Sequence, residues 1–143
     1  MNAKGDFMSR DITINSNQTT ESILKVAFAT NNLEDIDAHF GSTKQFAVYD
    51  ISKTASNLSK VIRLEKKDTD ETVASLKGVD IVYFTNIGPT AAAKVINSKI
   101  FPIKYKEVVG IKDEVGKLVK MLNENPPPFI KKILQKQELS DGL

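Results

Sequence analysis

The residues best suited to bind a metal lie at positions 35–41, in the run Asp-Ile-Asp-Ala-His-Phe-Gly, which holds the only histidine of the chain. There is no cysteine among the 143 residues. His39 is therefore the one strong nitrogen ligand available to a soft metal or a metal cluster, because neutral imidazole is the commonest metal ligand in proteins. A solvated loop histidine without a ligand role is the open alternative.

The residues around His39 predict a mobile loop that carries a site. Asp35 and Asp37 are poor residues for the interior of a strand or helix, and Gly41 permits backbone angles that other residues rarely adopt. Phe40 is apolar and is expected to attach one side of the loop to the body of the domain.

Composition narrows the possible classes of protein. The absence of cysteine excludes a disulfide scaffold, thiolate zinc sites and cysteine-ligated iron–sulfur clusters. Hydrophobic residues make up 41% and charged residues 27%, which is typical of a globular domain. A net charge of +2 falls short of the dense basic surface of nucleic-acid-binding proteins. No apolar run approaches the ~20 residues that span a membrane, and no secretory signal is predicted. We expect a cytoplasmic protein with neither nucleic-acid nor membrane partners.

The pattern of apolar residues predicts an α/β fold. Three strands are followed by helix, strand, helix, strand and helix, and the short turn between the second and third strands favours an antiparallel hairpin. We therefore predict a ribonuclease-H-like mixed β-sheet of about five strands with helices packed on it. The predicted strands cover residues 23–29, 46–51, 59–65, 80–85 and 100–104.

The predicted folded domain covers residues 23–134. Residues 1–22 are polar without a sustained period and are expected to form a flexible N-terminal extension. The three consecutive prolines at 126–128 must end the last predicted helix, which begins near Ile111. Residues 135–143 are expected to be a flexible tail.

A second candidate site lies where predicted strands end. Asn31 and Asn32 follow the first strand, and Gly88, Pro89 and Thr90 follow the fourth and open a helix. If the two strands are parallel, these segments share the edge where ligands bind in open α/β sheets. The unpaired N–H groups and the dipole of a helix N-terminus attract anions. A plain strand-to-helix turn is the alternative for Gly88 and Pro89.

Several short motifs occur together in a recognisable order, namely residues 26–29, 39–41, 46–50, 80–83, 87–89, 100–104 and 125–129. In this order and spacing, residues 23–134 resemble the dinitrogenase iron–molybdenum cofactor biosynthesis family, and the three prolines followed by an aromatic residue are most similar to its NifX branch. Val79 stands where relatives often carry a cysteine.

The resemblance implies a small non-enzymatic carrier with a ribonuclease-H-like fold. Such proteins transiently bind the iron–molybdenum cofactor or its iron–sulfur precursor cluster and pass it between cofactor assembly proteins, such as a scaffold and a cluster donor. The histidine that the family links to cluster binding corresponds to His39, which we predict to be the metal ligand. The predicted cofactor-binding residues are His39, Asn31, Asn32, Phe40, Gly41, Gly88, Pro89 and Thr90.

Two other functions remain open at the level of sequence. A metal-dependent nuclease on the same fold would need carboxylates that converge on metal ions. Asp50, Glu65 and Asp80 are the candidates, and we expect them to lie apart because Asp50 closes a strand whereas Asp80 opens one. A small phosphate- or nucleotide-binding module would rest on Gly88, which lacks the Gly-x-Gly-x-x-Gly context.

Overall fold

The computed structural model describes residues 23–65 and 68–141, with side chains up to Lys136. The predicted N-terminal extension, residues 1–22, lies outside the described residues. The strands are β1 (Leu24–Ala29), β2 (Asp35–Ile36), β3 (Gln45–Ile51), β4 (Ser56–Arg63), β5 (Ile81–Phe84), β6 (Phe101–Lys104) and β7 (Val109–Gly110). The helices are α1 (Thr69–Ser75), α2 (Pro89–Asn97), α3 (Ile111–Asn123) and α4 (Pro128–Asp141).

The main sheet has five strands in the order β4-β3-β1-β5-β6. Strand β3 runs antiparallel to β1 and β4, whereas β5 runs parallel to both β1 and β6. These pairings confirm the predicted mixed sheet, the predicted hairpin and the parallel arrangement of the first and fourth predicted strands. The ribonuclease-H-like label stays a prediction.

A second, two-stranded sheet was not predicted. It pairs Asp35 with Gly110 and Ile36 with Val109 in antiparallel register. The N–H of Ile111 also donates to the carbonyl of Glu34 at 2.8 Å. Strands of two residues are too short to show a period in the sequence, yet this pairing ties the segment after β1 to the start of α3.

Side chains alternate between the two faces of β1 and so reach two separate cores. Leu24, Val26 and Phe28 pack with residues of α3 and α4 in the first core. Ala27 and Ala29 pack with residues of α1 and α2 in the second core. Because both faces are covered, β1 is apolar almost throughout, as expected of a central strand. Strand β4 at the edge is mostly exposed.

Helix α3 carries a buried carboxylate among its apolar residues. Glu114 accepts hydrogen bonds from the hydroxyls of Tyr83 at 2.6 Å and Tyr105 at 2.9 Å, and Lys117 Nζ lies 3.7 Å from it. Burial, together with the bond to Glu114, raises the pKa of Tyr83 well above its usual range and that of Tyr105 to about 12. Both hydroxyls therefore stay protonated and serve as donors at neutral pH.

Helix α4 was not predicted, and it runs through residues 135–141 of the segment that we expected to be a flexible tail. The prolines end α3, as expected, but Pro128 then begins a helix that continues to Asp141. Proline suits a first helical position, where its missing N–H would have no partner. Ile130, Ile133 and Leu134 recur at helical spacing and pack against the first core, and this spacing was the signal that the proline run obscured.

Replacing Ile130 tests whether α4 belongs to the folded core. Ile130 is 0% exposed, so Ile130→Ala should lower the free energy of unfolding by about 2–5 kcal/mol through lost burial and a residual cavity. Leu58→Ala, at a side chain that is 48% exposed, is the control and should change it by less than about 0.5 kcal/mol. Urea unfolding measures both variants. A loss for Ile130→Ala as small as that expected for Leu58→Ala would place α4 outside the core.

Candidate functional site

His39 is exposed and lies between two buried neighbours. Ala38 is 3% and Phe40 is 2% exposed. The N–H of Thr85 donates to the carbonyl of Ala38 at 2.9 Å, and the N–H of Phe40 donates to the carbonyl of Asn86 at 2.8 Å. His39 thus sits between two backbone hydrogen bonds that join its segment to the chain leaving β5.

The backbone around His39 is more firmly held than the mobile loop that we expected. The N–H groups of Ser42 and Thr43 both donate to the carbonyl of His39, at 3.2 and 2.9 Å. The Phe40 ring packs against Phe46 and Phe84, with ring centroids 5.7 and 6.0 Å apart, and so attaches the segment to the second core. The position of the His39 backbone is therefore set by the fold.

Gly41 does not need to be glycine for steric reasons. Its backbone is not left-handed, and a Cβ atom placed there would meet nothing within 4 Å. The expected use of glycine's conformational freedom occurs instead at Gly78, where φ is +91° just after α1.

Asn31 and Asn32 follow β1 as predicted, but they are used differently. The Asn32 side-chain oxygen accepts from the N–H groups of Glu34 and Asp35, at 2.9 and 2.8 Å, and its amide donates to the Asp35 carboxylate at 2.9 Å. The N–H of Asn31 donates to Asp37 at 2.8 Å. The Asn32 side chain therefore stabilises the turn, whereas the hydrogen bonds described for Asn31 are those of its main chain.

The N-terminus of α2 lies at the same edge of the sheet as His39. Gly88 is the N-cap and Pro89 is the first helical residue. The bond from the N–H of Ala92 to the carbonyl of Gly88, at 2.9 Å, is the first of the helix, so the N–H groups of Thr90 and Ala91 precede it. Asn86, which binds the Phe40 N–H, is only two residues before Gly88. Residues 88–90 are exposed.

A cleft of about 520 Å³ opens beside this segment. It contains three predicted site residues, Asn31, Phe40 and Gly41, whereas His39, Asn32 and residues 88–90 lie outside its lining. The structure therefore brings the predicted residues to one edge of the sheet but not into one pocket. The remaining lining residues are Thr43, Lys44, Gln45, Arg63, Leu64, Glu65 and Thr72.

Lys44 and Arg63 give the cleft its positive charge. Both side chains are exposed, and within residues 23–65 and 68–141 neither forms an ion pair. The pairing of Gln45 with Arg63, and the bond from the N–H of Leu64 to the carbonyl of Lys44, bring them together. Arg63 did not stand out in the sequence, since only the strand register reveals that it faces this edge.

Two of the three candidate carboxylates of the nuclease hypothesis, Asp50 and Asp80, lie at the same edge of the sheet, whereas Glu65 lines the cleft at the opposite edge. Lys25 Nζ lies 3.0 Å from an oxygen of Asp50, and the N–H of Lys25 donates to Asp80 at 2.9 Å. Because β3 is antiparallel to β1, the end of β3 and the start of β5 lie at one edge of the sheet. In the part of the chain that the structure describes, no three histidine, aspartate or glutamate residues are grouped to hold a metal ion.

Comparison with known proteins identifies the family. Residues 22–121 match the family described as dinitrogenase iron-molybdenum cofactor. NifX of Rhodobacter capsulatus is 35% identical over 133 residues, which cover 85% of this chain and 84% of that protein. The chain belongs to the dinitrogenase iron-molybdenum cofactor family. NifX of Azotobacter vinelandii is 29% identical and covers 90% of this chain and 85% of its own. These matches confirm the family resemblance predicted from the motifs.

Solved structures share the fold of this family member. The crystal structure of PH0822 matches with a TM-score of 0.57 and 19% identity, covering 68% of this chain and 89% of that one. A structure from Methanocaldococcus jannaschii matches with a TM-score of 0.55 and 17% identity, covering 71% and 92%. At such identities the likeness concerns the fold alone. None of the described helices is long and apolar enough to cross a membrane.

Val79, which stands where relatives often carry a cysteine, lies away from the segment around His39. Val79 is buried in the second core, just before the residues that open β5. It therefore lies at the amino end of β5, whereas His39 is bonded to the residues that follow its carboxyl end.

Substitution of Asn32 tests the structural role of its side chain. Asn32→Ala removes the bonds to Glu34 and Asp35 and should lower the free energy of unfolding by about 1 kcal/mol. Asn31→Ala is the matched control, because the hydrogen bonds described for Asn31 use only its main chain. Urea unfolding compares the two variants, and a loss as large for Asn31→Ala would contradict this assignment.

Proposed function

We propose that the chain takes part in nitrogenase cofactor assembly as a non-enzymatic carrier. It transiently binds the iron–molybdenum cofactor or its iron–sulfur precursor and passes it between assembly proteins, such as a cluster donor and a scaffold. The observation that carries the proposal is the exposed side chain of His39, whose backbone is held between buried neighbours at the edge where α2 begins. Family membership supports the nature of the cargo.

His39 supplies the metal ligand in this proposal. A neutral imidazole nitrogen donates a lone pair to an iron atom at the surface of the cluster. Resident iron–sulfur clusters are held by several cysteine thiolates, and this chain has no cysteine. One exposed nitrogen ligand forms a weaker attachment than a set of thiolates, and a weaker attachment suits a carrier that must release its cargo.

The N-terminus of α2 and the cleft supply the remaining contacts. A sulfide-rich anionic cluster is attracted by the N–H groups of Thr90 and Ala91 and by the positive end of the helix dipole. Asn31, Phe40 and Gly41 line the neighbouring cleft, and Asn32 fixes the turn beside it. Gly88 and Pro89 set the start of the helix and leave its tip exposed.

Lys44 and Arg63 extend this contact set. Their charges lie in the cleft next to the His39 segment, with Glu65 as the one acidic residue among the described residues of its lining. Two cations that form no ion pair among the described residues raise the local concentration of an anionic ligand and speed its capture.

Fold type and location belong to the same proposal. The strand order β4-β3-β1-β5-β6, with β3 alone antiparallel to β1 and β5, supports a ribonuclease-H-like sheet. A chain without cysteine is compatible with the reducing cytoplasm, where we place it.

His39→Ala is the direct test of the ligand. The variant should bind isolated iron–molybdenum cofactor at least about tenfold more weakly, because loss of a mere outer-shell partner of a metal ligand already costs about tenfold or more in affinity. Its free energy of unfolding should change by less than about 0.5 kcal/mol, because the side chain is exposed. Anaerobic titration followed by cluster absorption measures affinity. Ser42→Ala, in the same turn, is the control, and equal cluster loading by parent and His39→Ala would reject His39 as a ligand.

A double substitution tests the electrostatic part. Lys44→Gln with Arg63→Gln should slow cluster association several-fold at low salt, and the difference from the parent should shrink as salt screens the charges. Lys60→Gln with Lys112→Gln removes the same charge from exposed positions outside the cleft. Anaerobic stopped-flow absorption measures the association rates, and an equal effect of both pairs would show that only net charge matters.

A further inference from the structure

A second, larger groove lies at the edge of the sheet opposite His39. Asp80 directly precedes β5, Phe101 begins β6 and Lys99 follows α2, so the groove is at the amino end of these strands. Its volume is about 970 Å³. We call it the lysine-rimmed groove, and its lining residues are Asp80, Ile96, Lys99, Ile100, Phe101, Pro102, Pro128, Phe129, Lys131, Lys132, Ile133, Gln135 and Lys136.

The floor of the lysine-rimmed groove leaves large apolar side chains open to solvent. Ile96, near the end of α2, is 57% exposed, and Phe101 is 40% exposed. The Phe101 ring stacks on Phe129 of α4, with centroids 4.3 Å apart and ring planes 13° from parallel. Exposed apolar groups that adjoin one another and are rimmed by polar residues mark interaction sites.

The rim carries an excess of positive charge. Lys99, Lys131, Lys132 and Lys136 are all exposed, whereas Asp80 is the one acidic residue of the lining among the side chains that the structure describes. The Asp80 carboxylate accepts the N–H of Lys25 at 2.9 Å. The whole chain has a net charge of only +2, so this concentration of lysines is local and does not reflect a generally basic surface.

We propose that the lysine-rimmed groove is the docking site for an acidic amphipathic helix of a partner protein. The apolar face of such a helix would cover Ile96, Phe101 and Phe129, while its acidic residues would lie against the lysines. Amphipathic helices commonly dock in this way in apolar grooves between helices, and here α2 and α4 supply the two sides. Complementary charge fixes the orientation and speeds the encounter.

The composition of the groove favours a protein over a nucleic acid. A nucleic acid would pair with the lysines, but it would leave the aliphatic side chain of Ile96 without a matching surface. The site is also separate from His39. A partner docked there would leave open the side of the sheet at which β1 and β5 end. This proposal therefore stands independently of cluster binding.

The test uses a labelled synthetic helical peptide with leucine along one face and glutamate along the other. Fluorescence anisotropy should show binding to the full chain. Lys131→Glu with Lys132→Glu should weaken binding by about tenfold or more through charge reversal. Ile96→Glu should weaken it comparably through loss of the apolar contact. Lys60→Glu with Lys112→Glu, at exposed positions away from the groove, should leave it unchanged, and circular dichroism checks that each variant is folded.

Several outcomes would overturn the proposal. One is groove variants that bind the peptide as the parent does. Another is equal binding of a peptide of the same composition in scrambled order, which would show attraction without shape. Equally tight binding of a single-stranded oligonucleotide would assign the lysines to nucleic acid. Sedimentation that shows self-association of the parent, lost in Ile96→Glu, would make a second copy of the chain the occupant.

Discussion

Strand β1 is the element on which the rest of the structure depends. It is paired on both sides, antiparallel to β3 and parallel to β5, and it contributes side chains to both cores. These pairings fix the polarity of the sheet. The end of β1, the start of β3 and the end of β5 must therefore lie at one edge, which is why the segment that carries His39 meets the residues before α2.

The sequence predicts the parts of the fold that have a clear period or a long apolar run. Strands β1 and β5 and helix α3 are of this kind, and their existence and order are confirmed. The β2–β7 pair was missed because two-residue strands leave no pattern in the sequence and because the two strands lie far apart in the chain. Helix α4 was missed because the prolines before it are a strong stop signal, and the proline that starts a helix is indistinguishable in sequence from one that ends the previous one.

For the candidate site, the sequence singles out residues by their chemistry, whereas their positions in space depend on how the strands pair. His39 could be singled out because it is the only histidine, and the edge it occupies followed from the parallel pairing of β1 and β5. The cleft could not be derived, because Lys44 and Arg63 are brought together by strand register and not by spacing. The approach of Asp50 and Asp80 to Lys25 was missed for the same reason: their edge depends on which strands run antiparallel.

The exposed His39 lies between the buried residues Ala38 and Phe40, and this arrangement would affect how readily a ligand binds there. With both neighbours buried and both adjacent peptide groups bonded to the residues after β5, the backbone here has lost its conformational freedom when the protein folds. A ligand that bound at this position would not have to order the backbone, so this part of the entropic cost of association would be small. Binding and release of such a ligand would then not have to await a rearrangement of the backbone.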